Sequence, residues 1–165
     1  MDIQFRPMLA TDWTKVAAIY KQGIDTGNAT FQQEVPTWNE WNEAHLVNCR
    51  IVAVIDYEVV GWAALSEVSG RCVYAGVGEV SIYVSNENKG QKIGFQLLRQ
   101  LITESENEGF WTLQSGIFPE NIASLKIHDL LGFRQVGFRE RIGKMNNNWR
   151  NTILLERRSN KVGLE

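Results

Sequence analysis

Apolar and polar positions along the chain follow two periods. Residues 50–56 (RIVAVID) and 59–66 (VVGWAALS) are β-rich runs separated only by Tyr57 and Glu58, which predicts a hairpin. Residues 79–84 alternate, with Glu79, Ser81 and Tyr83 on one face and Val80, Ile82 and Val84 on the other. From Gly90 to Glu108 the period lengthens: Ile93, Leu97, Leu98, Leu101 and Ile102 recur on one helical face. A second helix is expected over 11–22, capped by Thr11, with Val16, Ala17, Ile19 and Tyr20 inward. Thr37-Trp38-Asn39-Glu40 is a capping box that opens a third helix to about residue 47. A fourth covers 120–131 and closes at Gly132, with Ala123, Ile127 and Leu130 as its core stripe. Strands are expected at 2–6, 111–117, 134–142 and 149–157, the last two around an Asn-rich turn; 23–36 and 67–78 read as loops. This order predicts an α/β (mixed α+β) fold: one mixed, mostly antiparallel sheet of about seven strands flanked by about four helices. It fills a single domain, 1–158, followed by a polar tail, 159–165.

Composition narrows the classes. Leu, Ile, Val and Phe make up 47 of 165 residues, enough to bury a core. The net charge of -2 disfavours a protein that holds nucleic acid through phosphate neutralisation. No apolar run is long enough for a membrane span, and the N-terminus lacks a signal-peptide pattern, so a cytoplasmic protein is expected. Cys49 and Cys72 offer neither a disulfide framework nor a metal quartet, and no Cys/His spacing suggests zinc; no metal is expected.

Three places are equipped for chemistry. Glu79 opens its strand beside Gly76 and Gly78, where partial burial would lift a carboxyl toward the pKa of a useful base. Lys89-Gly90-Gln91-Lys92-Ile93-Gly94 lies at the start of the long helix. Unpaired N–H groups, a close-approach glycine and two lysines there suit a phosphate or pyrophosphate. It is neither a Walker loop nor a dinucleotide fingerprint. On the fourth helix Asn121, Ser124 and His128 form one stripe, where the histidine could donate or shuttle a proton; a surface histidine is the bland alternative.

In this order, the three sites resemble the GNAT superfamily of acetyl-CoA-dependent N-acetyltransferases. One signature of that superfamily, Gln/Arg-x-x-Gly-x-Gly/Ala, falls on residues 89–94, with Lys89 and Lys92 replacing its first residue and its middle glycine. A second, Asn-x-x-Ser-x-x-x-His-x-x-x-Gly-Phe, falls on Asn121, Ser124, His128, Gly132 and Phe133. Asn28-Ala29-Thr30-Phe31 with Glu34, Pro36 and Trp41, then Glu79, then Lys144 to Trp149, resemble the phosphinothricin and methionine sulfone/sulfoximine acetyltransferase group. The resemblance implies acetyl-CoA as co-substrate and a small amine as acceptor. It implies Glu79 as general base and His128 as general acid, and a strand ending at Val84 that splays from strand 111–117. Backbone of Ile82, Tyr83 and Val84 would meet the pantetheine arm and the oxyanion, residues 89–94 the pyrophosphate, and Asn121 and Ser124 the cofactor. Phe31, Trp62, Tyr83 and Trp149 would wall the acceptor pocket, with Arg71 and Tyr74 on the substrate side. A homodimer is expected from the same likeness. A non-catalytic acyl-CoA sensor and a protein or peptide N-acetyltransferase are the alternatives.

Overall fold

The computed structural model describes residues 2–165. Its strands are β1 (Gln4–Pro7), β2 (Ile51–Ile55), β3 (Glu58–Glu67), β4 (Val77–Val84), β5 (Thr112–Ile117), β6 (Arg134–Met145) and β7 (Asn148–Arg158). Its α-helices are α1 (Trp13–Asp25), α2 (Trp38–Ala44), α3 (Ile93–Asn107) and α4 (Ile122–Leu130). All seven strands form one sheet in the order β1-β2-β3-β4-β5-β7-β6, antiparallel except for β4 beside β5. The mixed, mostly antiparallel sheet with four α-helices is the fold class that the patterning predicts.

The sheet has a core on each face. On one, α3 packs Ile93, Leu97, Leu98 and Leu101 against Ile51, Ala63, Leu65 and Val80, and α4 adds Leu125 and Ile127. On the other, Val16 and Ile19 of α1 and Trp41 of α2 cover Val52, Val54 and Trp62. The alternation in β4 therefore aims Val80, Ile82 and Val84 at the α3 side and Tyr83 at the α1 side. The indole N–H groups of Trp41 and Trp62 find no acceptor. Their rings meet edge to face at 5.5 Å.

Local chemistry moves several expected boundaries. Asp12, not Thr11, holds the entry to α1: its carboxylate accepts the Leu9 N–H at 2.8 Å and both arms of Arg6 at 2.7 and 2.9 Å. The first hairpin turns at Asp56-Tyr57, one residue earlier than expected. Both have positive φ (48° and 67°), the geometry of a type I′ turn, which leaves Glu58 in the strand. Asn146 and Asn147, at 48° and 63°, make the same turn between β6 and β7 and let both strands run longer than expected. The capping box at Thr37 and Glu40 forms, but α2 stops at Ala44 because His45 is extended. The α3 helix begins only at Ile93, behind two left-handed residues, Gly90 (φ 81°) and Lys92 (φ 62°).

One correction concerns α4. Ala123 and Leu130 face solvent, and His128 is 2% exposed. The polar stripe of Asn121, Ser124 and His128 faces inward, because the helix lies against the wedge between β4 and β5. The end of α4 is a Schellman cap: Phe133 N–H donates to the His128 carbonyl at 3.0 Å and Gly132 N–H to that of Asp129 at 3.1 Å. Residues 159–165 lie beyond β7, and Ser159 is buried: its N–H donates to the Trp111 carbonyl and its hydroxyl to Glu106.

Candidate active site

The site grows from one interruption in the sheet. β4 and β5 pair only at Val77↔Thr112, Gly78↔Leu113 and Glu79↔Gln114. Beyond that, β4 stays with β3 as far as Val84↔Gly61, and β5 stays with β7 as far as Ile117↔Ile153. The two strands part, as expected from the resemblance, and the inner edges of residues 80–84 and 115–117 are left facing a wedge. In the middle of a sheet such an edge would normally be paired.

Hollows open from the wedge, and two of them mark its two ends. One, about 440 Å³, runs along Val84 to the start of α3 and is bordered by Lys89, Gly90, Lys92, Ile93 and Gly94 on one side and Ala123, Lys126 and Ile127 on the other. Three lysines and no carboxylate line it. The N–H groups of the first turn of α3 have no intrahelical acceptor, and the helix dipole adds positive character. A φ of 81° at Gly90, with nothing within 4 Å of where a Cβ would stand, leaves its backbone open to a ligand. Anionic, elongated ligands fit this groove. Of the expected cofactor residues, Gln91 alone borders none of the hollows described here, and Tyr83 lies on the acceptor side.

The other hollow, about 290 Å³, lies at the Glu79 end. Its walls are Glu79, Ser81 and Tyr83 of β4, Ser115 to Phe118, Thr152 of β7, His128, and residues 29–32 of the loop after α1. Its ionisable groups are Glu79, Tyr83 and His128; no lysine or arginine lines it. The two hollows share Ile82, Asn121 and Ser124.

Glu79 is exposed, not partly buried as its glycine-rich approach suggests; the Gln114 amide donates to its carboxylate at 3.0 Å. Since Glu79 and Gln114 form the last rung of the β4–β5 ladder, the end of pairing sets where the acid stands. His128 is held as firmly. Its Nδ1 lies 2.7 Å from the Ser124 carbonyl, which can only accept, so the proton sits on Nδ1. Nε2 is then an unprotonated nitrogen, buried and without a partner in the protein. Burial lowers the His128 pKa, and the Ser124 carbonyl offsets that in part. Asn121 caps α4 by accepting the Ser124 N–H at 3.2 Å, which fixes the stripe.

The remaining expected residues separate. Phe31 reaches the acceptor hollow, packed edge to face on Phe118 at 4.8 Å. Trp62, 1% exposed, does not wall it; the ring stacks behind Tyr83 at 4.8 Å and supports it from the core. Arg71 and Tyr74 lie together, both exposed, on the 68–76 connection, and Trp149 is 58% exposed on the outer hairpin with Lys144 over its ring. None of these three borders the hollow. Ser115, Thr152 and Gln114 belong to the site and were not expected there. Ser115 and Thr152 are buried hydroxyls, but their strands carry other polar residues, so neither they nor Gln114 stood out in the sequence.

Comparison with known proteins decides the family. Residues 13–133 match the Acetyltransferase (GNAT) family. The chain belongs to that family. It is therefore an acyltransferase of the GNAT kind, whose members use acetyl-CoA. Similar proteins include a phosphinothricin N-acetyltransferase of Alcaligenes faecalis, 29% identical over 88% of this chain and 77% of that protein. The L-methionine sulfoximine/L-methionine sulfone acetyltransferase of Pseudomonas paraeruginosa is 26% identical, with 90% of each covered. Among solved structures, a GNAT superfamily phosphinothricin acetyltransferase from Sinorhizobium meliloti in complex with acetyl-CoA is 25% identical. It superposes with a TM-score of 0.88 over 100% of this chain and 92% of that one. Among the described residues, no helix is long and apolar enough to cross a membrane, and no three His, Cys, Asp or Glu side chains cluster as metal ligands.

Proposed function

We propose that this GNAT enzyme moves an acetyl group from acetyl-CoA to the primary amine of a small amino-acid-like acceptor, of the phosphinothricin or methionine sulfone/sulfoximine kind. One observation carries the reading: a groove at the start of α3, lined by three lysines, and a cation-free hollow ending at a carboxylate meet at Ile82, Asn121 and Ser124. The names of the similar acetyltransferases support the acceptor class.

Acetyl-CoA would be held by the first turn of α3 with Lys89 and Lys92 at its phosphates, and by the open edge of β4 along its arm. When bound it supplies an acetyl group activated as a thioester. Glu79, steadied by Gln114, takes a proton from the acceptor ammonium, directly or through water, and frees the amine lone pair. A backbone N–H near Ile82 or Tyr83 stabilises developing negative charge on oxygen. His128 acts at Nε2. Since that nitrogen starts bare, it would take the second proton that the attacking amine loses as the amide forms and pass it to the thiolate that leaves as the C–S bond breaks. The GNAT likeness also supports a homodimer and a cytoplasmic enzyme. Phe138 and Ile142, more than half exposed on the outermost strand, offer such a dimer an apolar face; light scattering would report it.

Thiol release from acetyl-CoA tests the reading on a panel of amino acids, methionine sulfone, methionine sulfoximine, phosphinothricin and polyamines. One sulfone-like or phosphinothricin-like acceptor should react, and Glu79→Gln should lower its turnover by about two to four decades with acetyl-CoA binding intact. Silence across the panel with tight acetyl-CoA binding would favour an acceptor outside the panel or the acyl-CoA sensor reading.

A further inference from the structure

The loop after α1 supplies Ala29, Thr30, Phe31 and Gln32 to the acceptor hollow, yet it belongs to no helix or strand. Three anchors hold it. The Thr30 side chain lies beside the hydroxyls of Tyr20 and Tyr83. Phe31 fills the space over Gly143, where a Cβ would come within 2.7 Å of its ring. The third anchor is Arg150 of β7, whose register partner on β6 is the same Gly143. Arg150 donates from one arm to the Gly27 carbonyl at 2.7 Å and from the other to the Asn28 side-chain oxygen at 2.8 Å. Its guanidinium lies 4.1 Å over the Phe118 ring, and Glu120, at 3.4 Å, is its one carboxylate partner. The side chain is only 16% exposed.

We propose that Arg150 is a positioning residue for the acceptor: it latches residues 27–32 over the hollow without touching the reacting atoms. The site of action lies more than 120 residues away in sequence, across the β6–β7 hairpin. Only a planar guanidinium fits the role, because one flat fork must reach two acceptors and lie on an aromatic ring at once. Thr30 and Phe31 hold the far part of the loop, whereas Arg150 ties its start, Gly27 (φ 71°) and Asn28, to β7. The latch rests on the acetyltransfer reading for its kinetic consequence, but not for its structural one.

The test compares the parent with Arg150→Met, Arg150→Lys and Asn28→Ala. Hydrogen exchange in the free protein is read first. Amides of residues 27–32 should exchange at least about tenfold faster in Arg150→Met, and those of β2 and β3 at the parent rate. With an active acceptor, its KM should rise about tenfold or more, while kcat at saturation and the acetyl-CoA Kd stay within about threefold. Arg150→Lys should recover only part of the loss, and Asn28→Ala, which removes one acceptor of the fork, should move the same two readouts less. Unchanged exchange at 27–32, or an acetyl-CoA Kd that rises as far as the acceptor KM, overturns the proposal. So does exchange that rises throughout the molecule in both Arg150→Met and Asn28→Ala, since that is lost stability alone. If no amine reacts even with the parent, the acetyltransfer reading has failed while the exchange result still decides the latch.

Discussion

The two hollows that meet beneath α4 are made from different material. The α3 groove is bordered by one short stretch, residues 82–95, and by Asn121 and α4, with three lysines and no carboxylate around it. The acceptor hollow is built of side chains from β4, β5, β7, α4 and the loop after α1, and Glu79 is its only carboxylate. Backbone N–H groups at a helix start suit a ligand common to a whole family, because their placement survives most changes of side chain. A wall assembled from five segments changes shape with each of them. Substitutions should therefore separate the two: those in the acceptor hollow should leave acetyl-CoA binding alone, and those at residues 89–94 should leave acceptor affinity alone.

The largest separation is expected at His128. Replacing it with Gln keeps a polar side chain there but removes the nitrogen that can take up and release a proton. Turnover should fall about a hundredfold or more, with an acetyl-CoA Kd within about threefold of the parent. A Kd that collapses as well would make His128 a support for the wedge. The same residue gives a pH signature. Its folded-state pKa is lowered by burial, and His45 is lowered by burial too. An unfolded chain protonates both near its ordinary value of about 6.5, and the native protein only at lower pH. The stability they contribute is present above that value and is lost as pH falls through the lowered native values. Melting temperature should hold from pH 8 to 7 and drop below about pH 6.5, and His128→Gln should shrink that drop.

A tenfold effect is expected from Gly143→Ala. The new methyl would displace the Phe31 ring, which can swing because its far edge is what is touched. Acceptor KM should rise about tenfold with acetyl-CoA binding unchanged. Gly90→Ala is the mirror experiment. There the space is open but φ is 81°, so strain of about 1–2 kcal/mol should fall on the α3 groove and on acetyl-CoA affinity. If either substitution moves both affinities equally, the two hollows act as one site.

The same difference governs what the sequence revealed. Strand alternation at 79–84 and helical period from Ile93 placed β4 and α3, and the glycine-and-lysine run between them marked the α3 groove, because all of it is local. Glu79 was legible because a glutamate is unusual in a strand. The resemblance supplied the parting of β4 from β5; patterning did not, since both strands look alike before and after their last rung. The stripe on α4 misled for a related reason. Period alone assigns the apolar residues inward, but a wedge beneath the helix buries His128, turns Asn121 and Ser124 toward it, and leaves Ala123 and Leu130 in solvent, with Ile127 still on the core. Trp62 was expected in the acceptor wall with the other aromatics, yet its register opposite Tyr83 puts it one strand farther from the wedge. Arg150 was invisible, because nothing local distinguishes an arginine that grips a loop from one in solvent.

The smallest effect is the most discriminating, because it sets stability against binding within one residue. Lys92 takes a left-handed conformation, φ 62°, at the place where the GNAT signature carries a glycine. A side chain there costs about 1 kcal/mol of strain. Lys92→Gly should relieve that strain and raise the melting temperature by about 2–4 °C. It also removes one of the three cations around the groove, so the acetyl-CoA Kd should rise by about two- to fivefold. Opposite signs in the two measurements would mean that the lysine is kept for its charge despite its backbone. A variant that is both more stable and tighter for acetyl-CoA would mean that the backbone N–H groups hold the phosphates without Lys92, and that its charge points elsewhere.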